Sequence, residues 1–231
     1  SSSSLSRMAA TTEGYGMFAI VDYAASSENL NYVDKSRIAA TGHSAGGNAA
    51  IRGANYFGRE AQRTGEPSKL HSVFVSGYVL TLRDDVLEDV RSNIGVSYAF
   101  YDEGAYRNEL KNGDMRIAPE ALRVVNLGRD PSLPPVTEVE LGKHYGDLGS
   151  RTFRVVHNER VLHPFQPYMI EAMANQLEYF EHGFGMNVEV SPDDQGWDWQ
   201  ALVGGRSLGA ARGALVARAR RRGAAGGGGP R

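Results

Sequence analysis

Arg37-Ile38-Ala39-Ala40-Thr41-Gly42-His43-Ser44-Ala45-Gly46-Gly47 is the stretch on which the reading of this chain turns. Residues 37–41 form a short apolar run ending at a glycine, as a buried parallel strand does. Residues 42–47 fit a tight turn, and residues 48–63 follow as a helix rich in small side chains. Gly42-His43-Ser44-Ala45-Gly46 matches G-x-S-x-G, with a further Gly47 behind it. Between a strand and a helix, this pattern puts a serine on a sharp, strained bend. The residues two away on each side must be tiny so that strand and helix can approach. Ser44 is thereby lifted to the carboxyl edge of the sheet, where the N-terminus of the next helix favours a developing negative charge. The Ala45 N–H is the expected oxyanion-hole donor. The competing explanation is a chance match in a glycine-rich chain, and the strand before and helix after the motif weigh against it.

Working outward, residues 13–27 place Met17, Ile20, Val21 and Ala24 at helical spacing, and 29–36 read as a loop. Residues 70–79 are a β-rich run. Residues 82–92 put Leu82, Val86, Leu87 and Val90 on one helical face, and 93–101 suit another strand. The segment 104–150 is less regular: 120–127 reads as strand or helix, and 131–135 breaks the chain at prolines. Residues 152–157 read as a strand. Residues 168–180 read as a helix with Met169, Met173, Leu177 and Phe180 on one face, and 186–190 close the folded part. Strands alternating with helices predict an α/β fold, with a mostly parallel sheet covered on both faces.

The formal net charge of −2 hides an asymmetry. Residues 201–231 hold seven arginines and no acid, so the rest carries 18 basic against 27 acidic side chains. An acidic body does not suit nucleic-acid binding, which needs a basic face to displace counterions. With no cysteine, disulfides, thiolate metal sites and a cysteine nucleophile are excluded. No apolar run is long enough to span a bilayer, and no signal-peptide pattern is present. Residues 1–12 read as disordered or as a truncated segment end, 13–192 as the folded domain, and 193–231 as a low-complexity Ala/Gly/Arg tail. Two other readings of the tail are a basic arm for RNA or a membrane surface, and a shifted reading frame, since its residue types have GC-rich codons.

The run Val33-Asp34-Lys35-Ser36 through Gly47 resembles the elbow region of α/β-hydrolases, in particular the dienelactone-hydrolase, acyl-esterase and prolyl-oligopeptidase-like branches. Dienelactone hydrolases proper use a cysteine, which this chain lacks. The resemblance implies the C-terminal half of a mostly parallel α/β-hydrolase sheet with helices on both faces. The earlier strands and the loop with the second oxyanion donor would lie upstream, and the chain alone would be weakly active or inactive. It also implies the order nucleophile, acid, histidine. His163, in the loop Val161-Leu162-His163-Pro164 after the last strand, is the expected base. His157, His144 and His182 are its rivals, each with a structural reading as strand end, loop or helix end. His43 and His71 come too early. Asp102, directly after the strand ending at Tyr101, is the expected acid. Asp130 in Gly128-Arg129-Asp130-Pro131 is the alternative acid, and Glu103 a third.

The resulting expectation is a serine esterase acting on a small-molecule ester or acyl substrate, with no metal or organic cofactor. Ser44 attacks, His163 moves the proton and Asp102 orients His163. Acyl transfer to an alcohol is a variant of that chemistry. The rival is a non-catalytic sensor or interaction domain of a membrane protein. Gly142-Lys143-His144-Tyr145-Gly146-Asp147 and Asp194-Gln195-Gly196-Trp197-Asp198-Trp199 resemble bacterial membrane proteins in which a hydrolase-like domain precedes transmembrane helices. That implies a helical bundle from about residue 200. Apart from that resemblance, Trp197 and Trp199 are of the residue type found at membrane interfaces. Asp84, Asp85, Glu88 and Asp89 read as a solvated acidic face rather than a metal site.

Overall fold

Four of the apolar runs pair side by side in the computed structural model, which describes residues 15–195. Residues 1–14 and the Ala/Gly/Arg tail from 196 onward, with Trp197 and Trp199, lie outside the described residues. The strands are β1 (Ala39–His43), β2 (Ser72–Ser76), β3 (Asn93–Ser97) and β4 (Arg154–His157). They stand in chain order, all parallel, with Ala40 level with Val73, Val73 with Ile94 and Ile94 with Arg154. The helices are α1 (Tyr15–Ser26), α2 (Ala45–Thr64), α3 (Asp84–Leu87), α4 (Pro119–Asn126) and α5 (Ile170–Phe184). The protein is therefore α/β, with a parallel four-stranded sheet flanked by helices.

Side chains alternate across the sheet with the period of the pleat. Val73, Val75, Ile94, Val96 and Val156 face one way, into a core shared with Ile51, Ala54 and Phe57 of α2 and Ala121, Val124 and Val125 of α4. Phe74 and Val155 face the other way and meet Tyr179 of α5. Covered on both sides, β2 and β3 are buried throughout, including the polar residues at their ends, Ser72, Ser76, Asn93 and Ser97. β1 is the sheet edge, and its Thr41 is exposed. Among the described residues no helix is long and apolar enough to cross a membrane.

Several expectations from periodicity need correction. The segment 82–92 is helical only over Asp84–Leu87. Leu82, Val86, Leu87 and Val90 are all buried. The chain then leaves the helical path because Asp89 is drawn onto α2, accepting from Arg59 Nε (2.6 Å) and Gln62 Nε2 (3.1 Å). Asp89 is thus an anchor rather than part of a solvated face, whereas Asp84, Asp85 and Glu88 are exposed. Residues 120–127 resolve as helix, with Pro119 at the first turn. In α5 the buried side is Ala172, Ala174, Tyr179 and Gly183, while Leu177 is 42% exposed. In α1 it is Val21 that is buried, and Ile20 points outward.

The feature that positions the site is the approach of α2 to the ends of β1 and β2. A Cβ on Gly42 would fall inside the backbone of Gly46, and one on Gly47 would lie 2.8 Å from Ser76 O. Gly46 differs: nothing stands within 4 Å of where its Cβ would be. The two glycines that match the motif are therefore not equivalent. Gly42→Ala is expected to lower stability by about 1–3 kcal/mol through overpacking. Gly46→Ala should be neutral or stabilising by up to about 1 kcal/mol, since alanine favours helix. Urea unfolding of the two variants tests this, and equal destabilisation of both would contradict it.

Candidate active site

Ser44 occupies the bend between β1 and α2 with φ 58° and ψ −117°. A non-glycine residue held there costs about 1–3 kcal/mol, so its surroundings must enforce it. Two main-chain bonds do so: Ser44 N–H donates to Ser76 O (2.8 Å), and Ser44 O accepts from Asn48 N–H (3.1 Å). A serine at a helix N-cap ordinarily turns its hydroxyl back onto the first-turn amides, and Ser44 makes no such bond. The hydroxyl is left for other use. Ala45 is the first residue of α2, so its N–H has no acceptor within the helix.

Asp102 and His163, far apart in sequence, meet because the chain keeps pairing beyond the ends of β3 and β4. Tyr98 N–H donates to His157 O (3.1 Å), Phe100 N–H to Glu159 O (2.7 Å) and Tyr101 N–H to Val161 O (3.2 Å). This brings Asp102 alongside the turn His163–Tyr168, and His163 Nδ1 lies 2.8 Å from Asp102 Oδ2. The other carboxylate oxygen, Oδ1, accepts from Gly104 N–H (2.6 Å). With its side chain only 6% exposed, Asp102 is held as an acceptor on both oxygens. The bond from Nδ1–H leaves Nε2 of His163 as the basic nitrogen. On the other side, His163 lies against the ring of His43, with centroids 4.5 Å apart. Among the described residues no hydrogen bond joins Ser44 Oγ to His163.

None of the other candidates is hydrogen-bonded to His163 among the described residues. Asp130 is an exposed turn residue accepting from Ser132 N–H (2.8 Å), and Glu103 is exposed. His157 ends β4 with its ring tilted against Phe74, and burial pushes it down to about 4. His144 packs edge-on to Phe153 and beside His182. His71 donates to or accepts from Ser72 Oγ at the far end of β2. Burial, and secondarily the neighbouring His163 ring, hold His43 below the usual imidazole range. Among the described residues no group of three or more His, Asp or Glu is placed to hold a metal ion.

Glu159 was not legible in the sequence. It is 2% exposed, and its carboxylate accepts from Ser97 Oγ (2.8 Å), Gln166 Nε2 (3.1 Å) and Asn175 Nδ2 (2.9 Å). Gln166 also donates to Ser97 Oγ (2.7 Å). One acid thus ties the end of β3, the turn that carries His163 and the first half of α5. A carboxylate just past a strand is ordinarily solvated, so nothing in its local sequence set it apart from Glu103.

No family model matches this chain, and no curated protein or solved structure matches it either. The chemistry must be read from the site itself.

Two measurements test this geometry. Glu159→Leu removes the acceptor of Ser97 Oγ and Asn175 Nδ2 and one of the two acceptors of Gln166 Nε2. It is expected to cost about 1–3 kcal/mol or more in urea unfolding and to erase the downfield proton resonance of His163 Nδ1–H. Retention of that resonance would show that Glu159 does not hold the turn. The second concerns pH. An unfolded imidazole takes up its proton near 6.5, but folded His157 does so only near 4. Between these values the unfolded state binds more protons, so stability is lost as pH falls through that window. His43, His71 and His144 are shifted the same way. Thermal unfolding between pH 7 and 4 should therefore show a shallower decline in His157→Asn than in the parent, and parallel curves would contradict it.

Proposed function

We propose that this chain carries a serine hydrolase site of the α/β-hydrolase type, which cleaves a carboxylic ester through an acyl-enzyme on Ser44. The observation that carries the reading is the His163–Asp102 bond at the same sheet edge as a strained serine whose hydroxyl caps no helix. In this mechanism Ser44 Oγ attacks the acyl carbon and its proton passes to His163 Nε2. The tetrahedral oxyanion is met by the Ala45 N–H. His163 then delivers the proton to the departing alkoxide, and water, deprotonated by the same nitrogen, releases the acid. Asp102 stays ionised throughout, fixing the tautomer and stabilising the imidazolium. Exposed Tyr101, Leu162 and Phe165 beside the Asp102–His163 pair supply apolar surface suited to an acyl or alcohol group.

A second reading is a non-catalytic domain acting as a sensor or interaction module. It is favoured by one observation: the ring of His43, rather than the Ser44 hydroxyl, is the neighbour of His163. Catalytic hydrogen bonds are often long before substrate binds, which keeps the enzymatic reading first.

A fluorophosphonate probe separates the two. Serine displaces fluoride from phosphorus only when its hydroxyl is activated. The expected result is a mass adduct on Ser44 that is absent in Ser44→Ala. Labelling should be slowed about 10²–10⁴-fold in His163→Ala and Asp102→Asn. Absence of labelling with the expected upstream strands and oxyanion loop present supports the non-catalytic module instead.

A further inference from the structure

The opposite, amino edge of the sheet holds a second feature. A cavity of about 710 Å³ opens there, among the N-terminal approaches to β2, β3 and β4 and the C-terminal end of α2. That volume is typical of small-molecule sites. Arg91, Arg151 and Arg154 all line it.

None of the three arginines is paired with a carboxylate among the described residues; each is held by main-chain carbonyls. Arg154 Nη1 donates to Phe153 O (2.7 Å), Ser92 O (3.1 Å) and Arg151 O (3.2 Å). Arg151 Nη1 donates to Ser68 O (2.6 Å). Arg91 Nη1 donates to Glu88 O (2.8 Å) and Val90 O (2.9 Å). Carbonyl dipoles satisfy N–H groups but do not cancel charge. Arg154 is only 2% exposed, an expensive place for an unneutralised guanidinium. Burial holds it down to about 10 and also lowers Arg151.

Two residues that line the cavity each keep a buried polar atom without a partner among the described residues: Arg154 Nε, and Oγ of Ser68, which is 5% exposed. Side chains so deeply buried are almost always hydrogen-bonded, so an orphan calls for a missing acceptor or donor. A guanidinium N–H and a serine hydroxyl share one natural complement, an oxyanion. Ser150 and Thr152 add hydroxyls to the wall, and Val90 and Leu127 give it an apolar side.

We propose that this cavity binds the phosphate group of a small organic phosphomonoester. The three terminal oxygens meet the arginine side chains, and the organic part lies against Val90 and Leu127. Guanidinium groups favour phosphate through charge-assisted, often bidentate bonds. The exposed carboxylates of Glu66 and Glu88, also on the wall, select against a polyanion and limit the ligand to one such group. The site is separate from the Ser44 edge and does not depend on the hydrolase reading.

The test is calorimetry and thermal unfolding of the full chain with phenyl phosphate and inorganic phosphate, against sodium chloride at equal ionic strength. Saturable binding of phenyl phosphate, tighter than inorganic phosphate, is expected. It should weaken about tenfold in Arg91→Gln. Arg91 is exposed, so this variant should fold, and Ser68→Ala provides a second one. The proposal is overturned by protection no greater than that from chloride, by binding of inorganic phosphate alone, or by undiminished affinity in both variants.

Discussion

The contact between the first turn of α2 and the ends of β1 and β2 governs the rest of this molecule. Helix and strand backbones meet there with no side chain between them: Gly42 abuts Gly46, and Gly47 abuts the Ser76 carbonyl. The chain must reverse within one residue, and that residue is Ser44, forced to φ 58°. Its strain is maintained by the packing of α2, whose Ile51, Ala54 and Phe57 are fully buried against the sheet. Loosening that packing would let the bend relax and the hydroxyl turn away. Core stability and the exposure of Ser44 are in this sense one property.

The acid and base are assembled by a different device. Main-chain pairing that outlasts β3 and β4 carries two connections side by side, so Asp102 reaches His163 without either lying on a strand or α-helix. Glu159 then closes the arrangement from below, through Ser97, Gln166 and Asn175. The imidazoles nearby serve different ends. Burial lowers the pKa of His43 and His157, which pack against neighbouring rings, whereas His163 has the Asp102 carboxylate on its ring.

A parallel sheet has two unlike edges, and this one expresses the difference in charge. At the carboxyl edge stand a carboxylate, two imidazole rings and the start of α2, whose dipole favours negative charge. At the amino edge stand guanidinium groups whose N–H groups are bonded to main-chain carbonyls. The hydrophobic layer between the edges keeps the two chemistries apart.

The α/β architecture and the special place of Ser44 were determined by local sequence. Apolar runs, glycines and helical spacing act over a few residues, where sterics and burial leave few choices. The extent of the 82–92 helix was not so determined, because Asp89 is captured by Arg59 and Gln62, about thirty residues earlier. Nor was the buried face of α5, set by Phe74 and Phe153 across the sheet rather than by its own periodicity. The sequence favoured Asp102 and kept Asp130 beside it, and the contact with His163 came from tertiary structure, as did the burial of Glu159 and the gathering of Arg91, Arg151 and Arg154 around one cavity. A carboxylate or guanidinium has no preferred partner in its own sequence; its environment is whatever distant segments the fold brings within a few ångströms.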